Sequence, residues 1–374
     1  MLFYIGLYLL CIFLFLCNGN TLQTGRRRVW PEWLIIVVLC LVSGTRYRLG
    51  GTDWDIYETT YNAVPFLSNF FEEYRSGELL SYYGFENGYL FINSLCKTVG
   101  LDFYSFTLVH AIIFYNCMYI GLRRYIPNFN FFIFIFLYKL FFYNTFISMR
   151  QSLTIAVFFA SLHLIEEKKP IRYWLCTVPL VLLHNGALLL PFLYGLNCFK
   201  LTKKRLVVLS LCLLPTIFIG SYGLPYLLPF FQSHLHNPVF LEKTETLLAG
   251  GQEGIGLFHV LEYFLLVALV SHYYEDLVRL CHGEFIIKLF VVLLPIFTFL
   301  HSFTILTREK DYFTFTYGVL LFYLAGIVRE KYQRQLIYLT TIIVCAFGFF
   351  RFIVLFDKGH LLHYSSWLIV GRGI

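Results

Sequence analysis

The 374 residues are 58% hydrophobic, 20% aromatic and only 14% charged, against about 25% charged in a typical soluble domain. No polar block is long enough to fold apart from the apolar runs, which excludes a water-soluble enzyme and points to one membrane domain over 1–374. The net charge of +7 comes from short basic clusters between apolar runs and not from one basic face, so a nucleic-acid groove is excluded as well.

A crossing helix needs about 20 mostly apolar residues. The first run, 1–17, has no basic stretch before it and no small-residue cleavage site after it, while Arg26, Arg27 and Arg28 follow it; it reads as an uncleaved span. Next come 30–45, 101–121, 129–145 and 147–165, and farther on 206–229, 257–275, 285–303, 311–328 and 336–356. Segment 173–199 differs, because Lys168, Lys169 and Arg172 precede it and Lys200, Lys203, Lys204 and Arg205 follow it. Basic clusters on both sides put both ends on the cytoplasmic face. The break at His184-Asn185-Gly186 then divides the segment into two short helices that reach partway and return, with one long tilted span as the alternative. The expected fold is an all-α, polytopic membrane helical bundle of about ten full crossings plus this broken hairpin.

With that topology, most of the 29 basic residues fall on the face of Arg26. That face is cytoplasmic by the positive-inside rule, and both termini are then extracytoplasmic. Two outer loops stand out. Residues 46–100 are rich in Tyr and acids, and 230–256 carry Gly250-Gly251-Gln252-Glu253-Gly254, a lid or a linker. Most of the ten cysteines, Cys40 and Cys117 among them, lie inside apolar runs, and there is neither a metal-type Cys-x-x-Cys pair nor a disulfide framework.

The informative basic residues are those that orientation does not require. Arg46 and Arg48 follow the second span, Arg150 opens the fifth, and Arg308 precedes 311–328; all four sit at the outer boundary. Ionisable groups at that depth snorkel, pair or face a cavity. A shared level suits one anionic target, and the planar fork of arginine matches phosphate oxygens, so a lipid-linked diphosphate is the expected partner. Interface anchoring is the plainer account of Arg46 and Arg48, and Glu309 or Asp311 offers a partner to Arg308.

Three groups are candidate bases. Asp53 follows Gly50-Gly51-Thr52, and its Asp-x-Asp spacing with Asp55 is open to a metal ion, to a pair with Arg46 or Arg48, or to proton abstraction from a sugar hydroxyl. Glu86 is a second base or a helix-start acid. His184, at the hairpin break, can bond substrate or shuttle a proton, or serve structure alone. Trp54 and Tyr57 offer flat faces to sugar rings or act as bilayer anchors. No metal-type histidine spacing occurs, and His110 and the other scattered histidines have no assignment.

Arg46 to Gly51, Asp53 and Tyr57, then Phe85-Glu86-x-Gly88-Tyr89, Met149-Arg150-Gln151, His184-Asn185-Gly186-Ala187, and Arg308 with Tyr312-Phe313 resemble, in order and spacing, the EpsG family of Wzy-like exopolysaccharide polymerases. The resemblance implies a glycosyltransferase-C-like inner-membrane enzyme. Such an enzyme joins repeat units carried on a polyprenyl diphosphate at the outer leaflet, without a cofactor or catalytic metal. Its implied partners are the lipid-linked oligosaccharide, membrane lipids, a chain-length regulator and a flippase. Carried over residue by residue, it points to Arg46, Asp53, Tyr57, Glu86, Arg150, Gln151, His184 and Arg308, with Arg48 beside Arg46. Growing charge on the departing diphosphate is what prepositioned arginines stabilise. A ligase using the same carrier shares these expectations, whereas a transporter of lipid-linked sugar calls for a polar path that Lys139, Lys288 and Arg351 do not define.

Overall fold

Apolar runs become helices here because polar residues at their starts close the first turns. Asp102 accepts a hydrogen bond from the Ser105 N–H at 2.8 Å, Asn128 does the same for Phe131 at 3.2 Å, and Pro31 and Pro170 occupy first-turn positions whose N–H is not needed. The computed structural model describes residues 1–18, 28–77, 84–218, 257–299 and 306–370. Segment 230–256, expected as an outer loop, lies outside them.

The helices are α1 (Leu2–Asn18), α2 (Trp30–Gly44), α3 (Thr52–Ala63), α4 (Leu67–Ser76), α5 (Asn87–Thr98), α6 (Phe103–Leu122), α7 (Phe129–Lys139), α8 (Met149–Glu166) and α9 (Pro170–Thr177). They continue with α10 (Lys203–Phe218), α11 (Leu257–His272), α12 (Tyr274–Val278), α13 (Gly283–Phe299), α14 (Phe315–Ile327) and α15 (Lys331–Leu355). Two compact units result, 1–198 with 335–374, and 199–334. Among the described residues there is no strand, only an isolated bridge between Arg46 and Ser366.

In the first unit the helix directions follow from paired contacts. Thr107 donates to the Gly44 carbonyl at 2.9 Å and Tyr119 donates to Glu32 at 3.0 Å, so α2 and α6 run antiparallel. His110 meets Met149, while Arg124 and Tyr125, just past α6, meet Glu167 and Glu166, so α6 and α8 run parallel. The bundle therefore has one end at Glu32 and another at Arg150. At the Glu32 end that buried carboxylate accepts from Tyr119 and, at 3.4 Å, from both Asn18 and the Phe129 N–H, tying α1, α2, α6 and α7 together. In the second unit Tyr263 donates to the Ser210 carbonyl at 3.1 Å and stacks on Phe297, joining α11 to α10 and α13.

Among the described helices only α6 and α15 are both long and apolar enough to cross a bilayer by themselves. Length and composition alone thus support fewer crossings than the sequence suggests. The reasons are local: α7 passes into a π turn at Tyr143–Ile147, Pro215 and Pro295 lie inside α10 and α13, and α8 carries Arg150, Gln151, Ser152 and Thr154. Outward faces are apolar nonetheless. Leu9 on α1 is 59% exposed and Phe347 on α15 is 70% exposed, and helices apolar on all sides suit a membrane and not water. The chain is a helical, membrane-type protein.

Residues 170–198 do form a helical hairpin. α9 continues as a 3-10 helix, Val178–Leu182, breaks at Leu183-His184, and returns as a second 3-10 helix, Asn185–Cys198. Tyr173 donates to the Leu190 carbonyl at 2.6 Å and Trp174 to the Pro191 carbonyl at 3.1 Å, locking the two arms. The rise per residue is about 2.0 Å in a 3-10 helix against about 1.5 Å in an α-helix, so the outgoing arm covers roughly 22 Å. That stretch carries the tip to the Arg150 end of the bundle, while Asn197 ties the base to the Ile165 carbonyl.

Segment 46–100, expected as a loop, is largely helical. Lys97 closes it by donating to the carbonyls of Asn62 and Val64, both at 2.7 Å, at the end of α3. Trp54, Tyr57, Tyr61, Tyr89, Phe103, Phe106, Met149 and Leu153 form its core.

Candidate functional site

Arg46 and Arg150 occupy opposite kinds of helix terminus, and this decides their surroundings. A helix ends in unpaired carbonyls and begins with unpaired N–H groups. Arg46 lies just past the end of α2, fully buried, and spends its fork on oxygen: Nη1 on Ser43 at 2.5 Å, Nε on Leu49 at 3.2 Å and Nη2 on Phe146 at 3.4 Å. Its cation lies over Trp54, 4.8 Å from the ring centre, and over Phe146 at 5.3 Å. Arg150, in the first turn of α8, finds no helix carbonyl to accept from it. Nη1 bonds Glu86 Oε2 at 2.5 Å, the guanidinium lies over Phe85 at 4.1 Å, and Nε has no hydrogen-bond partner among the described residues.

Backbone geometry brings these pieces together. Gly51 adopts φ 66°, ψ −155°, a conformation that residues with a Cβ rarely adopt, and so turns the chain from α2 into α3. Gly88 serves close approach: a Cβ there would lie 2.6 Å from the Leu182 carbonyl oxygen, so only glycine lets the first turn of α5 meet the hairpin tip. Glu86, at the N-cap position of α5, makes no capping bond with its side chain and reaches outward instead. Besides Arg150, its carboxylate accepts the Asn185 N–H at 3.1 Å and lies 3.6 Å from His184 Nδ1. Burial alone would raise the Glu86 pKa, but the His184 ring, the Arg150 charge and the Asn185 N–H outweigh it and hold the carboxyl at about 2.

The structure thus brings together Glu86, Arg150 and His184, with Tyr57 adjoining the guanidinium from α3. The other expected residues lie differently. Arg48 is exposed, adopts a positive φ of 50° and lies over the Tyr47 ring at 5.6 Å. Tyr47, Glu58 and Tyr104 raise its pKa, so its acidic neighbour is Glu58 and not Asp53. Asp53, in the first turn of α3, is half-buried. Neither pair expected for it occurs, since Arg46 is taken up by carbonyls. Trp54 and Tyr57 are buried in the aromatic core, so neither offers a free flat face. Gln151 is buried next to Arg150 in sequence, but consecutive helical residues do not share a face. Among the described residues no three metal-ligating side chains converge.

Arg308 belongs to the second unit, on the 3-10 helix Leu306–Tyr312. Beside it Asp311 is buried, and burial together with Asp311 raises Glu309 to about 7, with Glu309 Oε2 lacking a hydrogen-bond partner among the described residues.

Sequence reasoning missed the roles of Phe85, of the Asn185 main chain and of His110. His110 Nε2 lies 2.9 Å from the Met149 carbonyl and 2.8 Å from Ser152 Oγ, holding the start of α8 against α6. No sequence signal marks it, because the pairing depends on α6 and α8 lying side by side. Tyr89 and Asn93, on α5, are also buried. Against known proteins, a family model described as the EpsG family matches residues 32–366. No curated protein and no solved structure matches the chain.

Proposed function

The chain belongs to the EpsG family, and from that membership we propose that it is a Wzy-like polysaccharide polymerase, a glycosyltransferase that lengthens polyprenyl-diphosphate-linked glycan at the extracytoplasmic face of an inner membrane. The observation that carries this reading is the half-buried Arg150 guanidinium, paired with Glu86 beside the hairpin tip at one end of the bundle. A cation sheltered from water yet still partly open, with 23% of its side chain exposed, suits a leaving diphosphate.

In the proposed reaction the acceptor hydroxyl oxygen attacks the anomeric carbon of the donor. The bond from that carbon to the diphosphate oxygen breaks, its electron pair leaves with the carrier, and the hydroxyl proton passes to Asp53, Glu86 or His184. Arg150 stabilises the departing charge, and Arg308, on its own unit, is the further candidate for binding diphosphate. Arg46, saturated by carbonyls, acts as a positioning residue that fixes the chain leading into α3. Tyr57 steadies Arg150, Gln151 sustains the packing of α8, and Arg48 meets substrate or headgroups at the rim. One membrane domain over 1–374, a glycosyltransferase-C-like fold, both termini outside, and a flippase and chain-length regulator as partners complete the proposal.

The test is elongation by the purified chain given lipid-linked repeat units and no other enzyme. Growth of the glycan on the lipid supports the reading. Transfer of finished glycan to a second acceptor without growth identifies a ligase instead, and elongation undiminished in Arg150→Ala removes Arg150 from its role.

A further inference from the structure

Two donors hold the Glu86 carboxylate and an imidazole stands close beside it. Arg150 comes from α8, the Asn185 N–H opens the returning arm of the hairpin, and the His184 ring stands at its tip. Glu86 makes no side-chain capping bond to its own helix, which leaves its carboxylate turned to these groups. Guanidinium, main-chain N–H and imidazole are the donors that phosphate oxygens accept from, and a carboxylate occupies such a set in the same way with one charge fewer. The set is also underused. Arg150 Nε and His184 Nδ1 have no hydrogen-bond partner among the described residues, and an anion with more oxygens can engage both.

We propose that Glu86 is a resident stand-in for the donor's diphosphate: its carboxylate fills an anion seat formed by Arg150, the Asn185 N–H and His184, and an arriving diphosphate takes that seat and turns Glu86 out towards the acceptor. This deepens the polymerase reading and rests on it. It also selects Glu86 from the three candidate bases. Held by Arg150 and the Asn185 N–H with the His184 ring close by, its carboxylate is a poor proton acceptor; once displaced beside a diphosphate, it regains ordinary basicity and takes the proton of the attacking hydroxyl. Loading of the donor thereby arms the base. The acceptor is activated only when a leaving group is in place, which disfavours attack on an empty site.

Inorganic pyrophosphate titrated calorimetrically into the purified full-length chain tests the seat. A ligand that must displace an occupant binds more weakly by the fraction of seats left open, so Glu86→Gln and Glu86→Ala should bind pyrophosphate about tenfold or more tightly than the native protein while losing elongation. Adding Arg150→Ala to Glu86→Gln should abolish that binding. Thermal unfolding of each variant establishes that it is folded, and the glutamine variant decides if the alanine variant is not. Binding no tighter in the folded Glu86 variants overturns the stand-in, as does the lack of pyrophosphate binding by every form. Failure of the polymerase reading shows separately, as native protein that binds pyrophosphate through Arg150 yet never lengthens lipid-linked glycan.

Discussion

Each end of the first unit carries one glutamate between two basic side chains. At the Glu32 end, Glu167 sits between Arg124 at 3.1 Å and Lys169 at 2.7 Å; at the other end, Glu86 sits between Arg150 at 2.5 Å and His184 at 3.6 Å. Both carboxyls are held at about 2, but by different balances. Lys169 and Arg124 lower Glu167 on an open surface, where water screens the pairs and little stability depends on them. Glu86, with 12% of its side chain exposed, reaches the same value against the penalty of burial. Equal acidity therefore hides unequal purpose. The open cluster is replaceable, and the sheltered one is committed to a geometry.

The strongest way to break the contrast is Arg150→Ala, which should lower elongation about a hundredfold or more, the scale expected when a donor to developing charge is removed. Product length on lipid-linked substrate, with membrane abundance as control, reads this. Next in size is Arg46→Leu, which leaves buried carbonyls of Ser43, Leu49 and Phe146 without their donor. At about 1–3 kcal/mol for each buried group left unsatisfied, thermal unfolding should fall by several degrees before any direct effect on chemistry. Gly88→Ala should follow, because the added methyl meets the Leu182 carbonyl and such overpacking costs about 1–3 kcal/mol. It should push Glu86 away from Asn185 and slow turnover with the protein still folded.

The pH dependence sharpens the comparison further. The folded-state pKa of Glu86 lies below the ordinary carboxylate value of 4.5, so its stabilising contribution is complete above 4.5 and is lost as the pH falls towards about 2. The difference in unfolding temperature between native protein and Glu86→Gln should shrink over that window. Glu167→Gln should show no measurable change in stability or elongation, and a clear loss there would mean that the two ends are not so different.

The all-helical, membrane-type character and the hairpin were legible because both rest on one-dimensional signals, apolar composition and the placement of basic clusters around His184-Asn185-Gly186, whereas only two of the expected crossings are long and apolar enough among the described helices. Helix shortening was not, since the π turn after Lys139 and the polar start of α8 depend on neighbours. The split between Arg46 and Arg150 was partly legible. Both sit at the same end of the first unit, yet one ends a helix and the other begins one, and that direction alone supplies acceptors to the first and withholds them from the second. What sequence could not show is which acid the second would find. Asp53 and Glu86 are equally plausible by type, and only the approach of Gly88 to Leu182 places Glu86 beside Arg150.

The bridge between Arg46 and Ser366 carries a consequence for biogenesis. Ser366 donates to Thr45 Oγ1 across 321 residues of chain, and the Trp367 N–H meets the Thr45 carbonyl. The ribosome makes these partners after α15, so this clasp closes after the helices from α1 to α15 have been made. Maturation of the Arg46 corner is thereby tied to synthesis of the residues after α15, and a nascent protein stalled just beyond that helix would have its scaffold assembled with that corner unfastened.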